Sequence, residues 1–159
     1  SLGVCNGCQL MVELNLLDIR DEIKPRMLHN DSGKFESAFV TVDIQENKAI
    51  MLQGLENSRL GIWIAHGEGK FAFGSDNKAD YHIPIQYTHT KYPGNPNGSM
   101  FNAAAVCSEN GRHLAMMPHL ERSVMTWQWP YLSEKSSQGR FSPWFNAFVN
   151  AKEWLEKQI

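Results

Sequence analysis

GVCNGCQL, residues 3–10, links an apolar strand tail to the start of a helix and contains two of the three cysteines of the 159-residue chain. Residues 1–4 are typical of the end of a strand. The apolar side chains that follow recur at helical spacing and predict a helix from residue 6 to about residue 17; they are Leu10, Met11, Leu14 and Leu17. Cys5 is thereby placed at the bend between the two elements.

The Cys5–Cys8 pair is compatible with three kinds of site. Two cysteines separated by two residues supply half of a tetrahedral zinc site, although no second such pair and no closely spaced histidine pair accompanies them. The same spacing at the start of a helix suits a redox couple. A strand–turn–helix bend rich in small residues is also typical of a nucleophile elbow, with Cys5 as the nucleophile and Cys8 as buried packing. The residues of this stretch alone leave the zinc and redox alternatives open.

The elbow interpretation gives a role to the neighbours of Cys5. Free N–H groups at a helix N-terminus favour a thiolate, so we expect a lowered pKa for the Cys5 thiol. The backbone amide of Asn6 is expected to face an oxyanion that forms on the attacked carbonyl. Gln9 lies about one turn further along the same helix face and is expected to reach a bound substrate.

A cysteine nucleophile needs a base and a group that orients the base, and His119 and Glu121 meet that need. In an extended segment, residues two apart point to the same side, so the carboxylate of Glu121 would face the imidazole of His119. A lone pair of this kind is often only a solvated surface contact. Here an apolar stretch, Met116-Met117-Pro118, precedes His119 directly, and active-site residues gather at the ends of such strands in open sheets.

The rest of the chain is predicted to be mostly strands closed by one helix. Alternating or continuous apolar residues predict strands at 35–42, 49–53, 60–65, 70–73, 83–88, 103–107 and 113–117. Residues 21–33 are polar and irregular, and YPGNPNGS at 92–99 is dense in turn formers. Ser142-Pro143 is typical of a helix start and predicts a helix from residue 143 to about residue 157. Its apolar stripe favours core packing; the residues are Trp144, Phe145, Phe148, Ala151, Trp154 and Leu155.

Composition places the chain among ordinary globular proteins of one domain. The formal net charge of −2 predicts no nucleic-acid partner. No apolar run approaches the length of a membrane span, and the N-terminus lacks the pattern of a signal peptide, so no membrane partner is expected. Three cysteines fit a reducing compartment better than a disulfide framework, which favours the cytoplasm.

Two motifs taken together resemble the class I, triad-type glutamine amidotransferases. These are G-V-C-N-G-C-Q at residues 3–9 and M-P-H-L-E-R at residues 117–122. Three further stretches narrow the resemblance to the C-terminal glutaminase domain of the phosphoribosylformylglycinamidine synthases: WIAHGEG at 63–69, NPNGS at 95–99 and SPW at 142–144. The resemblance covers essentially the whole chain. It implies an α/β fold of the flavodoxin-like kind, a three-layer arrangement of a sheet with flanking helices.

The resemblance also implies a mechanism. Cys5 would attack the side-chain carboxamide of L-glutamine to give a glutamyl thioester, His119 would move the protons, and Glu121 would hold the imidazole. The ammonia released would pass to a synthetase domain of the same enzyme, which converts formylglycinamide ribonucleotide to formylglycinamidine ribonucleotide in purine biosynthesis. ATP and Mg²⁺ are expected on that synthetase part, and no cofactor or metal is expected on this chain.

By the same resemblance, His66, Gly67 and Glu68 are expected to line the glutamine pocket, with Glu68 taking the α-ammonium group of the substrate. The role of YPGNPNGS stays open between a site contact and a structural turn. One departure from the family pattern is Leu120, which stands where a proline is usual between the histidine and the glutamate.

A second departure concerns residues ahead of Ser1. The family places flanking strands and a glycine-rich loop, the source of a second oxyanion donor, before the elbow, so residues 1–159 are expected to be the C-terminal part of a single amidotransferase domain with low activity alone. Two alternatives to a catalytic domain are a zinc or redox module built on Cys5 and Cys8, and a glutaminase-like remnant with only a structural role.

Overall fold

The computed structural model describes residues 1–132 and 139–158. The strands are β1 (Leu2–Val4), β2 (Arg26–Leu28), β3 (Glu36–Ile44), β4 (Arg59–His66), β5 (Lys70–Ala72), β6 (His82–Tyr87), β7 (Ala103–Cys107) and β8 (Leu114–Met116), and the α-helices in this part are α1 (Asn6–Glu13) and α2 (Phe145–Glu156). Six strands form a mixed sheet in the order β1-β8-β7-β6-β3-β4, and β2 pairs with β5 in a small antiparallel sheet. Only the β1–β8 pairing is parallel among these described strands.

Both faces of the six-stranded sheet are covered by apolar side chains, which confirms the three-layer α/β prediction. Successive residues of β8 and its end alternate between two core clusters: Leu114 and Met116 belong to one, and Ala115 and Met117 to the other. The first cluster includes Trp144 and Ala147 at the start of α2, and the second includes Cys8, Met11 and Val12 of α1. A strand buried on both faces needs a continuous apolar run, and β8 has one.

The sheet curls until the free edge of β4 reaches the segment that follows β8. The backbone N–H of His119 donates to the carbonyl of Trp63, 2.7 Å away, and the two residues form an isolated antiparallel bridge. The opposite edge of β4 pairs with β3 along its whole length. The curl therefore places His119 against the free edge of β4, although β8 and β4 are far apart in the strand order.

Helix α1 is shorter than its apolar pattern predicts, because the chain turns at Asn15. The helix ends at Glu13, and Asn15 takes a left-handed φ of 51°. The N–H of Leu16 then donates to the Met11 carbonyl at 2.9 Å, and the N–H of Asn15 to the Val12 carbonyl at 3.1 Å. This is the Schellman pattern of helix termination.

The predicted strand at 49–53 is wrong. Residues Ile50–Leu52 form a 3₁₀ turn, and the side-chain oxygen of Asn47 accepts a hydrogen bond from the Ala49 N–H at 2.8 Å, which starts the turn. The side chains of Ala49, Leu52 and Leu55 are buried. They recur every three residues, so the segment has the period of a helical turn rather than of a strand.

Two other expectations need correction. Strand β2 lies within residues 21–33, which lack any strand pattern because β2 has only three residues. The apolar stripe of α2 is only partly core: Trp144 is fully buried, whereas Phe148 and Leu155 are 39% and 56% exposed beside the short edge strand β1. Within the described ranges, no helix combines the length and apolar character that a membrane span requires.

Candidate active site

Cys5 occupies a strained bend between β1 and α1. Its φ of 51° and ψ of −107° lie outside the regions that residues other than glycine usually adopt. The backbone N–H of Cys5 donates to the Met116 carbonyl at 2.9 Å, so the adjacent parallel strand holds the bend in place. Gly3 permits the close approach of α1, because a Cβ atom there would lie 2.6 Å from the carbonyl oxygen of Gly7.

The Cys5 thiol is half-buried and points at β4. Its Sγ lies 3.6 Å from the carbonyl oxygen of Ala65. Burial raises the pKa of the thiol, while the backbone N–H of Asn6 and the charge of Arg122 act in the opposite direction. The expected lowering of the Cys5 pKa is therefore wrong, since burial outweighs the Asn6 N–H and the charge of Arg122.

His119 is a buried imidazole held in one orientation by its neighbours. Its Nδ1 lies 2.6 Å from Oε1 of Glu121, and its Nε2 is buried without a hydrogen-bond partner among the described residues. The backbone carbonyl of His119 accepts from the Ser123 hydroxyl at 3.2 Å. Burial alone would raise the pKa of Glu121, but the hydrogen bond with His119 and nearby positive charge hold it below its usual value.

His119 and Glu121 lie together for a different reason than the extended segment that their spacing predicts. The segment is not extended: residues Leu120–Arg122 form a 3₁₀ turn that begins directly after His119. Leu120, which stands in place of the usual proline, is buried in the core and anchors this turn. The turn, and not an extended strand, brings the carboxylate back to the imidazole.

Strand order explains why Cys5 and His119 lie together. Val4 and Met116 are register partners in the parallel strands β1 and β8, so the chain leaves both strands at the same edge of the sheet. Cys5 then contacts the Ala65 carbonyl, and His119 binds the Trp63 carbonyl two residues away on β4. The thiol donates to the Ala65 carbonyl while His119 Nε2 is unpartnered among the described residues, so the two side chains are not hydrogen-bonded to each other. Such bonds often form only when substrate is bound.

Residues 66–69, which we call the HGEG turn, connect β4 to β5 and are held through all four carbonyl groups. The donors come from three separate segments: Asn30 Nδ2 to His66 O (2.7 Å), Asn30 N–H to Gly67 O (2.8 Å), Gln9 Nε2 to Glu68 O (2.6 Å) and Asn97 Nδ2 to Gly69 O (2.6 Å). A turn with every carbonyl bonded has little freedom to move. The residues expected to bind glutamine therefore sit on a rigid support.

Gln9 and Glu68 lie where the HGEG turn meets α1. The side-chain nitrogen of Gln9 is engaged by the Glu68 carbonyl, which leaves its side-chain oxygen for a ligand. The carboxylate of Glu68 is 59% exposed and lies 3.5 Å from Nδ1 of His29 at the surface. Its exposure keeps it available to a cationic group.

His66 is almost fully buried, with 3% of its surface exposed. Its Nδ1 lies 3.2 Å from Oδ1 of Asn30, whose Nδ2 donates to the carbonyls of His66 and Lys34. Oδ1 of Asn30 is thus an acceptor, and Nδ1 of His66 carries the proton. Burial, aided by the charge of His119, lowers the pKa of His66 to about 4. His66 is neutral near pH 7, with Nε2 as an unpartnered acceptor in the described structure.

A cleft of about 590 Å³ opens beside the first turn of α1. Its lining includes three residues that were expected to contact substrate: Asn6, Gln9 and Glu68. It also includes Glu13 and Arg26, which sequence reasoning missed. A guanidinium suits the α-carboxylate of an amino acid, and carboxylates suit its α-ammonium group. Arg26 lies on β2, the strand too short to leave a periodic signal.

The other two cysteines have no exposed surface for chemistry. Cys8 and Cys107 are buried, and burial raises the pKa of both thiols, that of Cys107 to about 11. All three cysteines are unpaired. Within residues 1–132 and 139–158, no three His, Cys, Asp or Glu side chains cluster as metal ligands would.

Comparison with known proteins gives a consistent set of relatives. Residues 1–155 match the CobB/CobQ-like glutamine amidotransferase domain family. A phosphoribosylformylglycinamidine synthase from Dictyostelium discoideum is 43% identical over 98% of this chain, and one from Homo sapiens is 38% identical over 97%. The chain spans only 13% of the length of each. A solved chain of PurLQS from Thermotoga maritima superposes with a TM-score of 0.72 at 25% identity, covering 97% of this chain and 61% of that one.

Proposed function

The chain belongs to the CobB/CobQ-like glutamine amidotransferase domain family, and from that membership we propose that its site hydrolyses glutamine to glutamate and ammonia. Cys5 attacks the side-chain carbonyl carbon of glutamine, and the C–N bond breaks to release ammonia and leave a glutamyl thioester on Sγ. His119 takes the thiol proton, gives it to the departing nitrogen, and then deprotonates the water that hydrolyses the thioester. Glu121 fixes the imidazole and stabilises its cationic form.

One observation carries this proposal: His119 Nδ1 lies 2.6 Å from Glu121 while its Nε2 is unpartnered among the described residues, and His119 and the strained Cys5 bond to carbonyls two residues apart on β4. Glu121 at Nδ1 fixes the tautomer in which Nε2 accepts a proton. A thiol whose pKa burial raises needs such a base, since it is not ionised on its own. The geometry thus favours a base-assisted nucleophile over a preformed thiolate.

Charge that develops on the glutamine oxygen needs hydrogen-bond donors. The backbone N–H of Asn6, the first residue of α1, directly follows Cys5 and lowers the pKa of its thiol, so it is suited to be one donor. Loss of one such donor commonly costs about 10²–10³ in rate, so this N–H would be a major contributor to turnover.

The longer relatives suggest where the ammonia goes. We propose that it serves an ATP- and Mg²⁺-dependent synthetase part of the same protein, which amidates formylglycinamide ribonucleotide, as the names of the relatives suggest. A cleft lined by Asn6, Gln9, Glu68 and Arg26 is large enough for an amino acid and offers groups for its α-ammonium and α-carboxylate, which supports glutamine as the first substrate. A cytoplasmic location stays a prediction from the low cysteine count.

Two nitrogen sources test the proposal in the full-length polypeptide. We expect Cys5→Ser to abolish synthesis with glutamine and to leave synthesis with ammonium salts intact, because only the glutamine step uses the thiol. Cys8→Ser is the matched control and should keep both activities. Glutamine-dependent synthesis by the Cys5→Ser variant would contradict the proposal.

A further inference from the structure

We propose that Asn97, from the YPGNPNGS stretch, and Asn30 are positioning residues that lock the HGEG turn against α1 and so set the shape of the glutamine site. The inference rests on the proposed function, and it gives a role to the one motif whose chemistry the sequence left open. Both side chains are buried, Asn97 at 0% and Asn30 at 3% exposure.

Asn97 joins its own loop to the HGEG turn. Its Nδ2 donates to the Gly69 carbonyl at 2.6 Å, and its Oδ1 accepts from the N–H and the hydroxyl of Ser99, at 3.1 and 2.8 Å. The Ser99 hydroxyl in turn accepts from the N–H of Phe71 at 2.9 Å, just beyond the turn. Asn97 and Ser99 therefore attach the loop to Gly69 and to Phe71, on either side of Lys70.

Asn30 holds the other end of the HGEG turn. Its side chain bonds the His66 carbonyl, the His66 ring and the N–H of Gly69, the last at 3.0 Å. The residue after Asn30 connects the two asparagines, since the backbone N–H of Asp31 donates to the backbone carbonyl of Asn97 at 3.2 Å. The two asparagines thus form one buried network across three segments of the chain.

The lock acts on substrate binding rather than on proton transfer. Its contacts at residues 66, 67 and 69 flank Glu68, whose carbonyl accepts a hydrogen bond from Gln9 on the first turns of α1, where the cleft opens. The His119–Glu121 pair is held instead by Trp63 and by Ser123. A loosened HGEG turn should therefore misplace bound glutamine while the Cys5–His119 pair keeps its reactivity.

Two electrophiles separate these effects in the full-length polypeptide. A diazoketone analogue of glutamine must occupy the substrate cleft to alkylate Cys5, whereas iodoacetamide needs only the reactive thiol. We expect Asn97→Ala and the isosteric Asn97→Asp to slow labelling by the analogue by roughly 10- to 100-fold and to leave the iodoacetamide rate within about twofold. The glutamine KM should rise in parallel, with a smaller change in kcat.

Asn95→Ala is the matched control, because Asn95 is buried in the same loop and its side chain, among the described residues, bonds within that loop, to Ser99, Gly98 and Asn102, and not to the HGEG turn. It should leave the ratio of the two labelling rates at the wild-type value. If the ratio of the two labelling rates is unchanged in both Asn97 variants, or changes as much in Asn95→Ala, the positioning role of Asn97 is overturned while the proposed function stands. A wild-type protein that the analogue does not label at Cys5 would overturn the proposed function, and the lock with it.

Discussion

Glu121 meets the imidazole of His119 in a single short contact, with Oε1 2.6 Å from Nδ1. Glu121→Gln should lower kcat for glutamine hydrolysis by roughly 10²–10⁴-fold, because the amide neither fixes the tautomer nor stabilises the imidazolium. Steady-state glutaminase assays measure the change. Glu109→Gln is the control: it removes a surface carboxylate that also contacts a histidine, His82, and should leave kcat unchanged.

The identities of Cys5, His119 and Glu121 as candidates could be predicted because each belongs to a short motif with a chemical reason. The ionisation of the Cys5 thiol could not, since it depends on how deeply the folded chain buries the sulfur. Arg26 and the lock residues Asn30 and Asn97 were also beyond prediction. Their positions depend on contacts between segments distant in sequence, which no local pattern encodes.

The end of α1 shows why helix boundaries are hard to read from apolar spacing. Leu14 and Leu17 continue the helical period, yet the chain reverses at Asn15, whose side chain bonds the N–H and carbonyl of Ile19 at 3.1 and 2.7 Å. Asparagine tolerates the left-handed conformation and so competes with helix continuation. The 3₁₀ turn at Ile50–Leu52 is a similar case, since an asparagine three residues earlier starts it.

Asn15 supplies a test of this explanation. Asn15→Ala and Asn15→Gly lose the same side-chain hydrogen bonds, but only alanine resists a φ of 51°. We expect Asn15→Ala to have a free energy of unfolding about 1 kcal/mol lower than Asn15→Gly. Denaturant titration of both variants measures the difference, and equal stabilities would contradict the Schellman assignment.

At the level of the whole domain, the class of fold could be predicted and the curl of the sheet could not. The strand–helix–strand order and the family resemblance predicted a sheet between two layers of helix, and most of the predicted strand positions were correct. The meeting of β4 with the segment after β8 depends on the cumulative twist and curl of six strands. That meeting brings the candidate site together, because Cys5 and His119 bond to carbonyls two residues apart on β4.

Burial of neutral His66 makes the stability of the domain depend on pH. The unfolded imidazole protonates near its ordinary pKa of 6.5, whereas the folded one resists protonation until about pH 4. The unfolded state therefore binds more protons in this window, and the free energy of unfolding should fall by roughly 3 kcal/mol as the pH drops from 6.5 to 4. Above pH 6.5 this contribution is constant.

Denaturant titrations between pH 4.5 and 7.5 measure this dependence. The lower limit is chosen because the pKa of Glu121 in the folded chain is below its usual value, so that this carboxylate stays largely ionised over the range. His66→Gln should reduce the slope between pH 6.5 and 4.5. His29→Gln, which removes an exposed imidazole, should leave it unchanged. A slope that persists in His66→Gln would assign the pH dependence to other groups.

The identity of the nucleophile is tested most directly by locating the adduct that a diazoketone analogue of glutamine leaves on the full-length polypeptide. Peptide mass measurement should find the adduct on Cys5 alone, with its formation suppressed by excess glutamine and absent from Cys5→Ser. Modification of Cys8 or Cys107 instead, or labelling of Cys5 that glutamine does not suppress, would contradict the assignment of this site.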